Sequence, residues 1–145
     1  MRYGSTLLVA LGLFAAPALA QSEAPSFNKG TVWEYGQIRT VDGHFDDYMK
    51  WLAGPWQEQQ EALKKAGYIV SYKVLLVADP RKDEPDIILA TEYANMAAFD
   101  RSTTDEYKMT EKIWGSLSKA SKEQAARGAI RTVLGTVMVR EAVLK

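Results

Sequence analysis

The order in which the hydrophobic period changes along this chain limits its fold more than any other feature. Alternation at every second residue marks a strand, and recurrence every three or four residues marks one face of a helix. From Thr31 to Val41 the residues alternate. Trp33, Tyr35, Gln37 and Arg39 fall on one side, and Val32, Glu34, Gly36, Ile38 and Thr40 on the other. Asp42-Gly43 closes that strand. Phe45, Tyr48, Met49, Leu52, Trp56, Leu63 and Ala66 then recur at helical steps, with one longer step between Trp56 and Leu63. Gly54-Pro55 lies inside this stretch and predicts a kink or a break into two helical pieces, because proline removes a backbone donor and crowds the preceding turn. Gly67, behind Lys64 and Lys65, predicts the C-cap, with cations at the negative end of the helix.

The second half repeats the theme in a different order. Ile69 to Ala78 reads as a strand, Asp79 to Pro85 as a charged hairpin loop, and Asp86 to Tyr93 as the partner strand. Asn95 is a natural N-cap for a short turn ending at Phe99. A helix is predicted from about Thr104 to Arg127, stopped by Gly128, with Tyr107, Ile113, Trp114, Leu117, Ala120, Gln124 and Ala125 near its inner face. Thr132 to Leu144 is the last strand, with Val133, Val137, Val139 and Val143 alternating against Leu134, Met138, Arg140 and Leu144. The order βαββαβ is that of the ferredoxin-like split βαβ arrangement, an α+β fold with a four-stranded antiparallel sheet and two helices on one face. The first and last strands are apolar on both sides, and such a sheet has to be covered on both. With two helices for one face, the simplest cover for the other is a second copy of the chain, giving a homodimer through the sheet face.

Two segments carry a family likeness. Val41 to Met49 (VDGHFDDYM), following an aromatic strand, resembles the strand-turn-helix opening of the dimeric α/β-barrel superfamily. Ala90 to Asp100 (ATEYANMAAFD) resembles its second signature, a strand ending in an aromatic residue followed by a short turn carrying Phe. The opening is most similar to the NIPSNAP-like and EthD-like branches. The resemblance implies a dimer paired sheet to sheet into a barrel, and in many members a small ligand between sheet and helices. Members range from haem-degrading and quinol-forming monooxygenases to cyclases and to dehalogenating or peroxidase-like enzymes, so the likeness does not define a reaction. The haem-degrading branch binds iron through a histidine on a later helix, and this chain has no histidine there.

The N-terminus reads as an address. Arg2, the apolar run Leu7 to Phe14, Pro17 and the small residues of Ala18-Leu19-Ala20 follow the order of a signal peptide cleaved after Ala20. Leu7 to Ala20 is too short for a membrane span. Residues 21–30 then read as a flexible leader, and residues 31–145 as one domain. Export, to a bacterial periplasm, is the expectation. Of 18 basic residues only Arg2 falls in the signal, which leaves 17 against 18 acidic ones. A balance of that kind carries no electrostatic footprint for nucleic acid.

The chain contains no cysteine and one histidine. Disulfides, thiol nucleophiles and thiolate metal sites are thereby excluded, and no metal or cofactor is expected. His44 is the candidate catalytic residue, since it follows the first strand at the mouth of the expected sheet-helix cleft and its titration range suits acid-base work. Against this stands an ordinary exposed first-turn position beside Asp46 and Asp47. Trp33, Tyr35 and Arg39 on one strand face, with Tyr72 and Glu92 on the middle strands, are the candidate ligand-binding residues, Arg39 gripping an anionic group. The alternative is that these residues pack in a core or an interface. Two functions follow: a binder of a small apolar or aromatic molecule in the cleft, with or without cofactor-independent chemistry, or a structural dimer with no small-molecule site. A cavity of about 300 Å³ or more lined by Tyr35, Arg39 and His44 separates the two.

Overall fold

Strand β1 runs from Phe27 to Thr40, and its aromatic and β-branched residues lie at the centre of the sheet. The computed structural model describes residues 24–145, so the expected signal peptide lies outside the described residues. β1 begins four residues before the predicted Thr31, because Phe27, Asn28 and Lys29 pair with Leu144, Val143 and Ala142 of β4 (Arg131–Leu144). β2 (Ser71–Leu76) and β3 (Ile87–Tyr93) complete a fully antiparallel sheet in the order β2-β3-β1-β4. With helical segments between β1 and β2 and between β3 and β4, this is the ferredoxin-like α+β fold.

The first crossover is α1 (Phe45–Trp51), a π-helical segment Leu52–Trp56, and α2 (Gln57–Lys65). The helix does not break at Pro55. It widens around the proline, and the wider turn absorbs the missing donor. Gly67, at φ 76°, ends the run. The Tyr68 amide bonds back to Leu63 and the Gly67 amide to Lys64, so the last carbonyls are satisfied. After β3, Asn95 caps a short 3₁₀ turn, Met96–Phe99, by accepting from the Ala97 amide.

The single predicted helix Thr104–Arg127 is two, α3 (Thr103–Trp114) and α4 (Leu117–Ala126). Gly115, at φ 83°, terminates α3, and Ser116 opens α4 by accepting from the Lys119 amide. Glycine followed by serine is a stop and a start in succession.

Strand register assigns the faces. Val32, Glu34, Gly36 and Ile38 of β1 share a face with Tyr93, Thr91, Leu89 and Ile87 of β3 and with Tyr72 and Val74 of β2. Ile38 and Ile87 pack there against Tyr48, Leu52 and Trp56 of the helical layer. The helix stripe read from the sequence is therefore the core stripe. The opposite face presents Trp33, Tyr35, Ala90, Ile88, Leu75, Val137 and Val139. One residue of β4, Leu134, is extra between the partners of Gln37 and Ile38. This bulge reverses the parity of the strand, so Val133 sits on the helix side and not with Val137 as its spacing predicts.

Tyr93 lies on the helix side, tilted against Phe99 at 4.5 Å between ring centroids. Burial pushes its phenol up to about 12, the charge of Glu34 adds to the rise, and Arg101 opposes it. The folded protein thus prefers the neutral phenol more than the unfolded chain does. That stability is fully present below the ordinary tyrosine value of 10.0 and drains away as pH rises through about 12. Thermal melts from pH 9 to 12 should show a shallower alkaline loss for Tyr93→Phe than for the wild type. Equal slopes would mean that this hydroxyl stays solvated.

Candidate binding cleft between the helices and the sheet

A cleft of about 450 Å³ opens between the helical layer and the sheet. Trp56, Gln59 and Gln60 form one wall, from the end of the π segment and the first turn of α2. Trp114, Ala120, Ser121 and Gln124 form the other, from α3 and α4. Leu89 of β3 lies at the floor, and Arg127 and Arg131 close the end where α4 passes through a 3₁₀ turn, Arg127–Ala129, into β4.

The local sequence explains this construction. The longer step in the helix stripe between Trp56 and Leu63 is occupied by Gln60, one turn after Trp56, so a polar residue takes an inward position. Gln60 is only 6% exposed and its carbonyl oxygen has no hydrogen-bond partner. The Arg127 guanidinium lies 4.2 Å from the centre of the Trp51 ring and 5.7 Å from that of Trp114, between two helical segments that each supply one indole. Trp51 in turn stacks on Tyr48, with centroids 5.6 Å apart, and Arg131 stands 5.7 Å from the Tyr48 ring. Burial and the neighbouring Arg131 lower the pKa of Arg127; Tyr48 and Glu123 oppose that shift. Burial also raises the Tyr48 phenol, whose oxygen is enclosed and unpartnered.

The six residues singled out in the sequence lie elsewhere, and none of them lines this cleft. His44 precedes α1 as its N-cap, exposed, with Nδ1 3.0 Å from an Asp47 carboxylate oxygen. Trp33 and Tyr35 are on the open face, their rings stacked at 6.1 Å with Lys73 over Trp33 at 5.1 Å. Glu92, on the same face, accepts from the Ser71 hydroxyl at 2.6 Å. Arg39 turns its Nη1 onto the carbonyls of Arg81 and Glu84, at 3.2 and 2.9 Å, and fastens the β2–β3 loop to β1. Tyr72 is on the helix side, edge-on to Trp56 at 5.4 Å, and donates to Glu61. Tyr35, Arg39 and His44 therefore do not converge on one cavity.

Arg127, Arg131 and Gln60 were missed. The signals available were the polar residue inside an apolar helix stripe and a pair of arginines four apart at a helix-to-strand junction. Among the described residues no three His, Asp or Glu side chains cluster as a metal site would, and no helix is long and apolar enough to cross a membrane.

No known family model matches the chain, and no curated protein matches it in sequence. Solved structures do share its architecture. HapK from Hahella chejuensis is similar at 14% identity and a TM-score of 0.50, covering 76% of this chain and 91% of its own. Protein SO0527 from Shewanella oneidensis is 12% identical with a TM-score of 0.47, over 81% of this chain and 96% of that one. A dimeric ferredoxin-like protein from an uncultured marine organism is 13% identical with a TM-score of 0.48, over 81% and 90%. At such identities the likeness to HapK is one of fold alone.

Proposed function

We propose that this chain is an exported small-molecule-binding protein of the dimeric α/β-barrel type, akin to its NIPSNAP-like and EthD-like branches. It forms a homodimer through the open face of the sheet and takes a flat apolar or aromatic molecule into the cleft between helices and sheet. The observation that supports this reading is the cleft itself. Its volume is that of a small-ligand site, two indoles wall it, and a few polar groups converge on it. No reaction is assigned to it.

The test is binding of N-phenyl-1-naphthylamine, a neutral aromatic dye that brightens in apolar surroundings. The protein is expressed as the whole chain, and a mature form starting at Gln21 is expected in the periplasm. Micromolar binding is expected, together with a loss of about tenfold or more when Ala120→Trp fills the cleft. Dye binding that ignores Ala120→Trp, or no binding at all, would leave the structural dimer as the better account.

A further inference from the structure

We propose that the ligand of this cleft carries an oxyanion, a carboxylate, sulfonate or phosphate, which seats against Arg127 and Arg131. The proposal rests on the cleft being a ligand site and names the chemistry of what enters it.

Both arginines line the cleft, and each is only 8% exposed. Charged groups are buried this deeply when something pairs with them. Here the protein supplies little. Among the described residues neither guanidinium has a carboxylate within ion-pair distance, the ion pairs there being His44 and Lys50 with Asp47, Arg81 with Glu84, and Lys108 with Asp105. The acids nearest in effect are otherwise placed. Glu123 faces the neighbouring groove between the helices, and Asp86 accepts from the Thr40 amide and hydroxyl. The Tyr48 phenol is held neutral by burial, so it offers no counter-charge.

The guanidinium donors are also short of acceptors. One Gln124 carbonyl oxygen serves both arginines, accepting from Nη2 of Arg127 and, at 3.3 Å, from Nη2 of Arg131. Nε and Nη1 of Arg127 and Nε of Arg131 are enclosed with no acceptor. Trp51, Trp114 and Tyr48 hold the guanidinium planes by their ring faces, which fixes orientation without using up N–H donors. Two oriented, mutually repelling cations with unused donors at the end of an aromatic-walled cleft suit an acceptor with several oxygens and a negative charge. A neutral ligand would leave both charges and their donors as they are.

The experiment compares two dyes that differ by one group. 8-Anilinonaphthalene-1-sulfonate is N-phenyl-1-naphthylamine with a sulfonate added. The sulfonate is expected to bind about 10- to 100-fold more tightly than the neutral dye, the range for charge-assisted hydrogen bonds. Arg131→Gln and Arg127→Met should each bring the ratio of the two affinities down to about one, with circular dichroism confirming the fold. Inorganic sulfate should compete with the anionic dye and not with the neutral one. Equal affinity for both dyes, or equal weakening of both in Arg131→Gln, overturns the oxyanion while leaving the cleft reading intact. Binding of neither dye overturns both.

Discussion

Val137→Asp is expected to convert the proposed dimer into a monomer. Val137 stands on the open face opposite Tyr35, with Val139 opposite Trp33. These valines and Leu75, on the opposite edge strand, are 45%, 41% and 40% exposed, apolar side chains on an uncovered face. The stacked Trp33 and Tyr35 rings lie between them, and Ala90, paired with Tyr35, is 1% exposed. Polar groups stand around this apolar centre: Lys73 over Trp33, Glu92 bonded to Ser71, and Arg39 on its loop. An apolar middle with a polar border is the composition of an interface core and its rim.

In a two-fold dimer each substitution enters twice. A carboxylate placed in a dry contact loses its water without gaining a partner, so the dissociation constant should rise by about a thousandfold or more. Sedimentation equilibrium reads this directly, with Lys64→Asp on α2 as a charge control that leaves association unchanged. A Val137→Asp protein that still sediments as a wild-type dimer would place the interface elsewhere.

The second large effect belongs to the core. Ile87→Ala should cost about 3–4 kcal/mol, because it empties the centre of a packed cluster that collapses only in part. Ile87 is 0% exposed and lies among Ile38, Tyr48, Leu52 and Trp56. Out of a total stability of about 5–15 kcal/mol that is a large share, and the melting temperature should fall by roughly 10–15 °C. The neighbouring Ile88 faces the other way, opposite Gln37 and Leu75. Measured in the Val137→Asp background, Ile88→Ala should cost about 1 kcal/mol, because that face is then wet. Equal costs for the two substitutions would contradict the face assignment.

How far the sequence revealed this structure depended on the range of the interaction concerned. Elements set by local chemistry were legible. The stripe Tyr48-Leu52-Trp56, the cap at Gly67, the Asn95 turn and the shared face of Trp33 and Tyr35 each follow from spacing within one segment. Features that need a partner strand were not. The early start of β1 depends on residues 142–144, and the parity reversal at Leu134 depends on Gln37 and Ile38. The break at Gly115-Ser116 was written locally and was overridden by a continuous apolar spacing.

The site was the least legible part. Spacing showed which residues share a strand face, but not which face the helices would cover: Trp33, Tyr35 and Glu92 lie on the face they leave open, Tyr72 on the helix side and His44 at the N-cap of α1. Arg127 and Arg131 look in the linear chain like ordinary cations at the end of a helix. Arg127 packs against Trp51 and Trp114 and Arg131 against Tyr48, and Trp51 and Tyr48 approach from the first crossover, far away in sequence.

The π segment at Leu52–Trp56 leaves room for the cleft to vary. A widened turn is how a helix accommodates an inserted residue without a frameshift of everything that follows it. Upstream of it Trp51 serves the Arg127 stack; downstream, Trp56 and Gln60 serve the cleft wall. A lineage could therefore gain or lose a residue here, and redraw the outline of the cleft, while every strand keeps its neighbours. Among relatives of this chain, length variation confined to this turn would mark where ligand preference has diverged.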